Sequence, residues 1–180
     1  IEQIWTGNAY RNFNYLIVCP ETGEAMAVDP LDHGKCLGLA KDKGWDIRQV
    51  LNTHEHGDHT GGVAAFIPED HRGQIPIYAG KNYQRYLRES AAPRGLVRAY
   101  YQMGYLLPKD ITGSVGSGIG PAVGGAAAGY LPPTVVVEDT LDLVVGGVRL
   151  HLFWGNTDLD DGLSLWLPDE KVMMVGDAAY

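Results

Sequence analysis

The chain has 180 residues, 45% of them hydrophobic and 20% charged, with a formal net charge of −8. That length and apolar share support one domain, residues 1–180, with a sizeable core, and an acidic chain without a basic block excludes nucleic acid or an anionic membrane surface as its main partner. No apolar run approaches the roughly 20 residues of a membrane-spanning helix, so membrane insertion is not expected, and Cys19 and Cys36 make neither a C-x-x-C pair nor a disulfide framework.

Residues 14–19 and 24–28 are two β-like runs joined by Pro20-Glu21-Thr22-Gly23, which predicts a hairpin. Residues 33–43 carry helical periodicity, with Gly44 placed to cap them. Residues 48–52 read as a short buried strand and residues 63–66 as the start of a helix. A further strand is predicted at 75–78, a helix at 82–90 and more helix at 96–104. Residues 112–130 hold Gly113, Gly116, Gly118, Gly120, Gly124, Gly125 and Gly129 and predict a long irregular loop, either a linker or a wall beside a site. They do not fit G-x-G-x-x-G and no G-K-[ST] follows, so no nucleotide cradle is expected. Residues 134–138, 140–145 and 148–154 read as strands, the last two joined by Gly146-Gly147. Residues 163–167 and 171–175 form another predicted hairpin around Pro168-Asp169-Glu170. A hairpin, then β/α units, then β-rich sequence suits an α/β chain folded as an αββα sandwich, two sheets with helices outside.

Between the strand at 48–52 and the helix at 63–66 lies Thr53-His54-Glu55-His56-Gly57-Asp58-His59-Thr60-Gly61-Gly62. Imidazole nitrogen and carboxylate oxygen suit zinc and similar first-row ions. His54 and His56 are two apart, so an extended segment points them the same way and lets them clamp one ion. Asp58 and His59 follow a glycine that lets the chain turn, and so face a second ion. The cluster sits on a strand-to-helix loop, where α/β proteins place their sites. The helical pattern H-E-x-x-H fails, because Asp58 stands four residues after His54; Glu55 is then a solvated loop carboxylate rather than a general base. Asp160 and Asp161 read as solvated in preference to supporting a metal ligand, His33 and His71 as surface polar residues, His151 as a strand residue, and Trp154 and Trp166 as core in preference to a substrate platform. No G-x-S-x-G elbow is present.

The segment resembles the first metal motif of the metallo-β-lactamase fold superfamily, H-x-H-x-D-H. Ala27-Val28-Asp29-Pro30 and Val175-Gly176-Asp177 resemble its opening motif and its metal-bridging acid. The loop 154–162 has no histidine where most such hydrolases have one, and a carboxylate there points to the alkyl sulfatase branch. Asp158 and Asp177 stand at that branch's spacing, each where it has glutamate. Arg98-Ala99 with Gly104 and Leu107-Pro108, the run 113–120, Leu131-Pro132-Pro133-Thr134 and Val28-Asp29-Pro30-Leu31 are similar to the branch as well. Residues 14–18 look as much like glyoxalase II relatives.

The resemblance implies a binuclear metal hydrolase, most readily with zinc. His54, His56 and Asp158 would hold one ion, and Asp58, His59 and Asp177 the other, Asp177 bridging. Asp58 counts as catalytic through that ion. A hydroxide shared by the ions would attack the sulfate ester of an alkyl alcohol. The alternatives are a thioesterase or lactam hydrolase on the same fold, a mononuclear iron persulfide oxygenase, and a non-enzymatic metal-binding domain. The partners implied are a small anionic substrate and, as an open choice, a second copy of the chain in a homodimer. A soluble protein of the bacterial cytoplasm or periplasm is expected, without a choice between them. Superfamily members add a histidine to the second ion after the bridging acid, so a further C-terminal part is expected beyond Tyr180.

Overall fold

The computed structural model describes residues 1–7, 12–67, 69–90, 131–155 and 160–176. The predicted helix at 96–104 and the glycine-rich run at 112–130 lie outside the described residues. A first sheet is built from β1 (Glu2–Trp5), β2 (Phe13–Val18), β3 (Glu24–Val28), β4 (Asp46–Leu51), β5 (Ile77–Gly80) and β6 (Val135–Val137), hydrogen-bonded in that order. β1, β2 and β3 run antiparallel, whereas β3 to β6 are parallel neighbours. A second, antiparallel sheet takes the order β10 (Val172–Met174), β9 (Leu163–Leu167), β8 (Val148–Trp154), β7 (Thr140–Val145).

The hairpin of β2 and β3 closes as predicted, Cys19 N–H donating to Glu24 O and Gly23 N–H to Cys19 O, both at 2.9 Å. Helix α1 spans His33–Lys43, the predicted bounds. Asp32 caps its first turn by accepting from Lys35 N–H, and Gly44 ends it at φ 71°, a left-handed conformation that costs glycine little. The strand expected at 75–78 forms at Ile77–Gly80 instead. Pro76 has no N–H for a ladder; it contributes only its carbonyl, to Val50 N–H at 3.0 Å. β1 was not predicted: of its four residues only Ile4 is buried, too little for an alternation to show.

Covering the first sheet on both faces explains why β3 is apolar without alternation, with Ala25, Met26, Ala27 and Val28 all buried. On one face Ile17, Met26, Val28, Leu51 and Val137 meet Val145, Leu150, Leu152, Leu163, Leu165 and Leu167 of the second sheet. On the other, Leu16, Ala27, Val50 and Ile77 meet Cys36 and Ala40 of α1 and Val63 and Phe66 of α3 (Val63–Phe66). This is the architecture of an αββα sandwich, with the loops after β3 and β4 at the carboxyl ends of parallel strands.

The loop after β4 is held against the loop after β3 by a backbone contact that admits no side chain. A Cβ on Gly62 would lie 2.0 Å from Pro30 O and 2.4 Å from Leu31 O. Gly62→Ala is therefore expected to cost at least about 2 kcal/mol, the range of core overpacking, read as a lower urea midpoint at unchanged slope. A wild-type midpoint would show that the Pro30–Leu31 segment yields freely.

Candidate metal site

Asp29 follows β3 and sits at φ 48°, outside the range most side chains adopt. Its backbone is held on both sides: its N–H donates to Leu51 O at 3.0 Å and its carbonyl accepts from Leu31 N–H at 2.9 Å. The buried amide of Asn14 spans the turn, donating from Nδ2 to Asp29 O and accepting Asp32 N–H at Oδ1, 2.8 Å. This geometry aims the Asp29 carboxylate at the start of the metal loop. Thr53 N–H donates to Asp29 Oδ1 at 2.8 Å and the Thr53 hydroxyl to Oδ2 at 2.6 Å.

Those bonds set the next residue. The Thr53 hydroxyl has one proton, and it goes to the carboxylate. Its 2.9 Å contact with His54 Nδ1 is then an acceptance from Nδ1–H. His54 is thereby fixed as the tautomer whose Nε2 is left to bind a cation. Burial alone would push the Asp29 carboxyl up, but the hydrogen bond and charge of His59, the charge of His54 and the Thr53 hydroxyl outweigh it and hold the group below its ordinary range.

His59 reaches the same carboxylate from helix α2 (Gly57–Thr60), its Nδ1 3.4 Å from Asp29 Oδ2. One ligand atom each from Asp29, His54 and His59 lies within 4.8 Å of the others. The His54 ring centroid is 4.2 Å from that of His59 and 4.7 Å from that of His56, which stands edge-on to it. The tightest group pairs His54 with His59 and Asp29, whereas the spacing suggested His54 with His56, which stands nearby. A buried set of imidazole nitrogens and carboxylate oxygen fits a divalent first-row ion better than a hard cation that prefers oxygen alone. Asp58 belongs to α2, but its side chain, like Asp158 and Asp177, lies outside the described residues. Gly176 comes close to the site, as a Cβ there would lie 3.1 Å from Thr53 Oγ1. Beside the site opens a cleft of about 570 Å³, whose lining includes Phe13, Tyr15, Met173 and Met174 together with Asp29 and His59.

Two expectations about carboxylates are corrected. Glu55, expected to be solvated, is buried, and Asp161, also expected to be solvated, is fully buried. Leu163 N–H donates to Thr53 O at 2.7 Å, which ties the start of β9 to the metal loop and carries the preceding turn inward. Sequence reasoning also left Asn14 and Thr53 without a role; a polar residue inside an apolar strand was the available sign for Asn14. His71 is exposed, His33 opens α1, His151 lies in β8 beside Asp142, and Trp154 packs on the core between the sheets.

The Asp161 carboxyl is pushed up from an ordinary value of 3.8 to about 6, by burial first and then by the charge of Glu55, against which the backbone N–H groups of Glu55 and of Asp161 itself and the charge of His56 act. A raised carboxyl works against the fold once it ionises. That penalty is absent below pH 3.8, grows between 3.8 and about 6, and is complete above. Asp161→Asn is therefore expected to raise the melting temperature of the metal-free protein at pH 7, with the gain shrinking toward pH 4. An equal gain at both pH values would show that ionisation of Asp161 is not what the substitution removes.

With this geometry in hand, known proteins align closely. The sequence profile of the metallo-beta-lactamase superfamily matches residues 12–180. A hydroxyacylglutathione hydrolase of Polaromonas sp. (strain JS666) is 76% identical over 67 residues, 37% of this chain and 26% of that protein. A linear primary-alkylsulfatase of Pseudomonas sp. (strain ATCC 19151) is 28% identical over 137 residues, 71% of this chain and 25% of that protein. The chain thus spans about a quarter of the length of these relatives. Among solved structures, the BLEG-1 B3 metallo-beta-lactamase superposes with a TM-score of 0.69 at 20% identity, over 99% of this chain and 72% of that one. The sec-alkylsulfatase Pisa1 from Pseudomonas sp. does so with 0.68 at 22% identity, over 89% and 27%. These structures share the fold, and the family profile covers nearly the whole sequence: the chain belongs to the metallo-beta-lactamase superfamily.

Proposed function

We propose that residues 1–180 form the catalytic domain of a binuclear, zinc-dependent hydrolase that cleaves the sulfate ester of an alkyl alcohol. In this reading His54, His56 and Asp158 hold one ion, and Asp58, His59 and Asp177 the other. When bound, the ions supply Lewis acidity and lower the pKa of water. The protein's own part is orientation. Asp29 holds Thr53, Thr53 holds the His54 tautomer, and Asp29 also steadies His59.

The observation that carries the substrate class is the cleft. Its lining beside Asp29 and His59 includes Phe13, Tyr15, Met173 and Met174, and an alkyl chain gains from such side chains by leaving water. The likeness over 137 residues to a linear primary-alkylsulfatase agrees. A second reading, hydrolysis of a glutathione thioester, is favoured by the 76% identity over 67 residues to a hydroxyacylglutathione hydrolase.

Incubation of the zinc-supplemented protein with dodecyl sulfate, followed by assay of inorganic sulfate, is expected to show release that a chelator abolishes. A parallel assay with S-lactoylglutathione is expected to show slower turnover. Thioester cleavage with sulfate release at background would establish the second reading instead.

A further inference from the structure

The loop that joins β8 to β9 is closed at its base. Gly155 N–H donates to Gly162 O at 3.1 Å, and Trp154 Nε1–H donates to Asp160 O at 2.8 Å. Trp154 N–H donates in turn to Asp139 O at 2.7 Å. All of these groups belong to the second sheet or to the connections at its ends.

The first sheet grips the same loop, through three consecutive residues at the carboxyl end of β5. A Cβ on Gly80 would lie 2.2 Å from Asp161 O, so the loop rests directly on the strand's backbone. Lys81 holds its ammonium 3.6 Å from the centroid of the Trp154 ring and 3.2 Å from Asp139 Oδ1. Asn82 donates from Nδ2 to Asp160 O at 3.1 Å, the oxygen that Trp154 also uses. Asn82 is the informative member of the three. Its carbonyl accepts Tyr86 N–H at 3.0 Å, at the start of α4 (Tyr83–Ser90), and its backbone is left-handed at φ 73°. Glycine would take that backbone without steric cost. What asparagine adds is the amide, and the amide donates into a loop of the other sheet. A left-handed residue with a side chain so engaged is a pattern that collects at functional sites.

We propose that Asn82 is a positioning residue for the metal site: its amide fixes the base of the 155–162 loop against the end of β5, and through that base sets the reach of Asp158. The proposal rests on the reading of Asp158 as a ligand of the first ion. Asp158 precedes by two residues the carbonyl that Asn82 and Trp154 share. It stands where the alkyl sulfatases have glutamate. Aspartate is one methylene shorter and has one torsion fewer, so its side chain has less freedom to make up for a misplaced backbone. Metal–ligand distances tolerate only about ±0.2 Å. A short ligand therefore needs its loop held, and the far end of this loop is held as well, by Leu163 N–H donating to Thr53 O at 2.7 Å. Asn82 touches neither ion nor substrate in this reading; it acts through Asp158.

The test uses zinc alone as probe, in competition with a chromophoric chelator, on the 180-residue protein and its Asn82→Gly, Asp158→Ala and doubly substituted forms. Asn82→Gly keeps the left-handed backbone and removes the amide. It is expected to weaken zinc about 10-fold at unchanged stoichiometry, and to have no further effect once Asp158→Ala has removed the carboxylate. A purely structural residue would weaken zinc equally in both backgrounds, and that result would overturn the proposal. So would wild-type zinc affinity in Asn82→Gly while Asp158→Ala binds less tightly, an outcome that leaves the ligand reading standing. Unchanged affinity in Asp158→Ala itself would overturn the ligand reading, and the positioning role with it. Where Asn82→Gly does not fold, Trp154→Phe reads the same carbonyl, because it removes the other donor to Asp160 O and keeps a ring; the same 10-fold loss, again confined to the background with Asp158, is expected there, and wild-type affinity would overturn the proposal.

Discussion

The Asp29–Thr53 contact is the constraint on which the site depends. It joins the ends of two neighbouring parallel strands, β3 and β4, through a carboxylate that receives both the amide and the hydroxyl of one residue. Without it the metal loop would leave β4 with its first polar groups buried and unsatisfied, a cost of about 1–3 kcal/mol for each. With it, a left-handed residue in one loop sets the ring orientation in the next. Asn14 extends the same brace into β2. The order at the site is therefore inherited from the sheet rather than from the loop that carries the histidines.

This brace explains which parts of the molecule were legible in sequence. His54, His56 and His59 are chemically distinctive and close in sequence, so their gathering was readable. So was α1, whose stop at Gly44 is written in one residue. Most strands were readable because apolar runs bounded by turns leave little choice, whereas β1, with one buried residue, left no pattern. Asp29 was visible only as the acid after an apolar strand. Its work depends on Thr53, which is 24 residues away and adjacent only because β3 and β4 pair in parallel.

Glu55 and Asp161 were misjudged for a related reason. A carboxylate in a polar loop is ordinarily solvated, and the loops 53–62 and 155–162 both look polar on their own. Their burial comes from each covering the other, through the bond of Leu163 N–H to Thr53 O and the seat of the Asp160 carbonyl beneath Trp154 and Asn82. Local sequence has no record of such mutual cover. Loop polarity measures what a segment could solvate, not what the fold later places over it.

The two sheets are stitched together at the end far from the histidines. There the β7–β8 turn rests on the β2–β3 turn, with Gly146 so near Thr22, Glu24 and Cys19 that a Cβ would lie 2.4 Å from Thr22 Oγ1. Thr22 also donates to Gly146 O at 3.3 Å, and Gln49 Nε2 to Val144 O at 3.2 Å. The opposite rim is tied as well, by Leu163 N–H donating to Thr53 O at 2.7 Å. The sandwich is thus held like a book with a clasp at each edge: strain put into the Gly146 clasp must be taken up along the strands before it reaches the clasp beside the histidines.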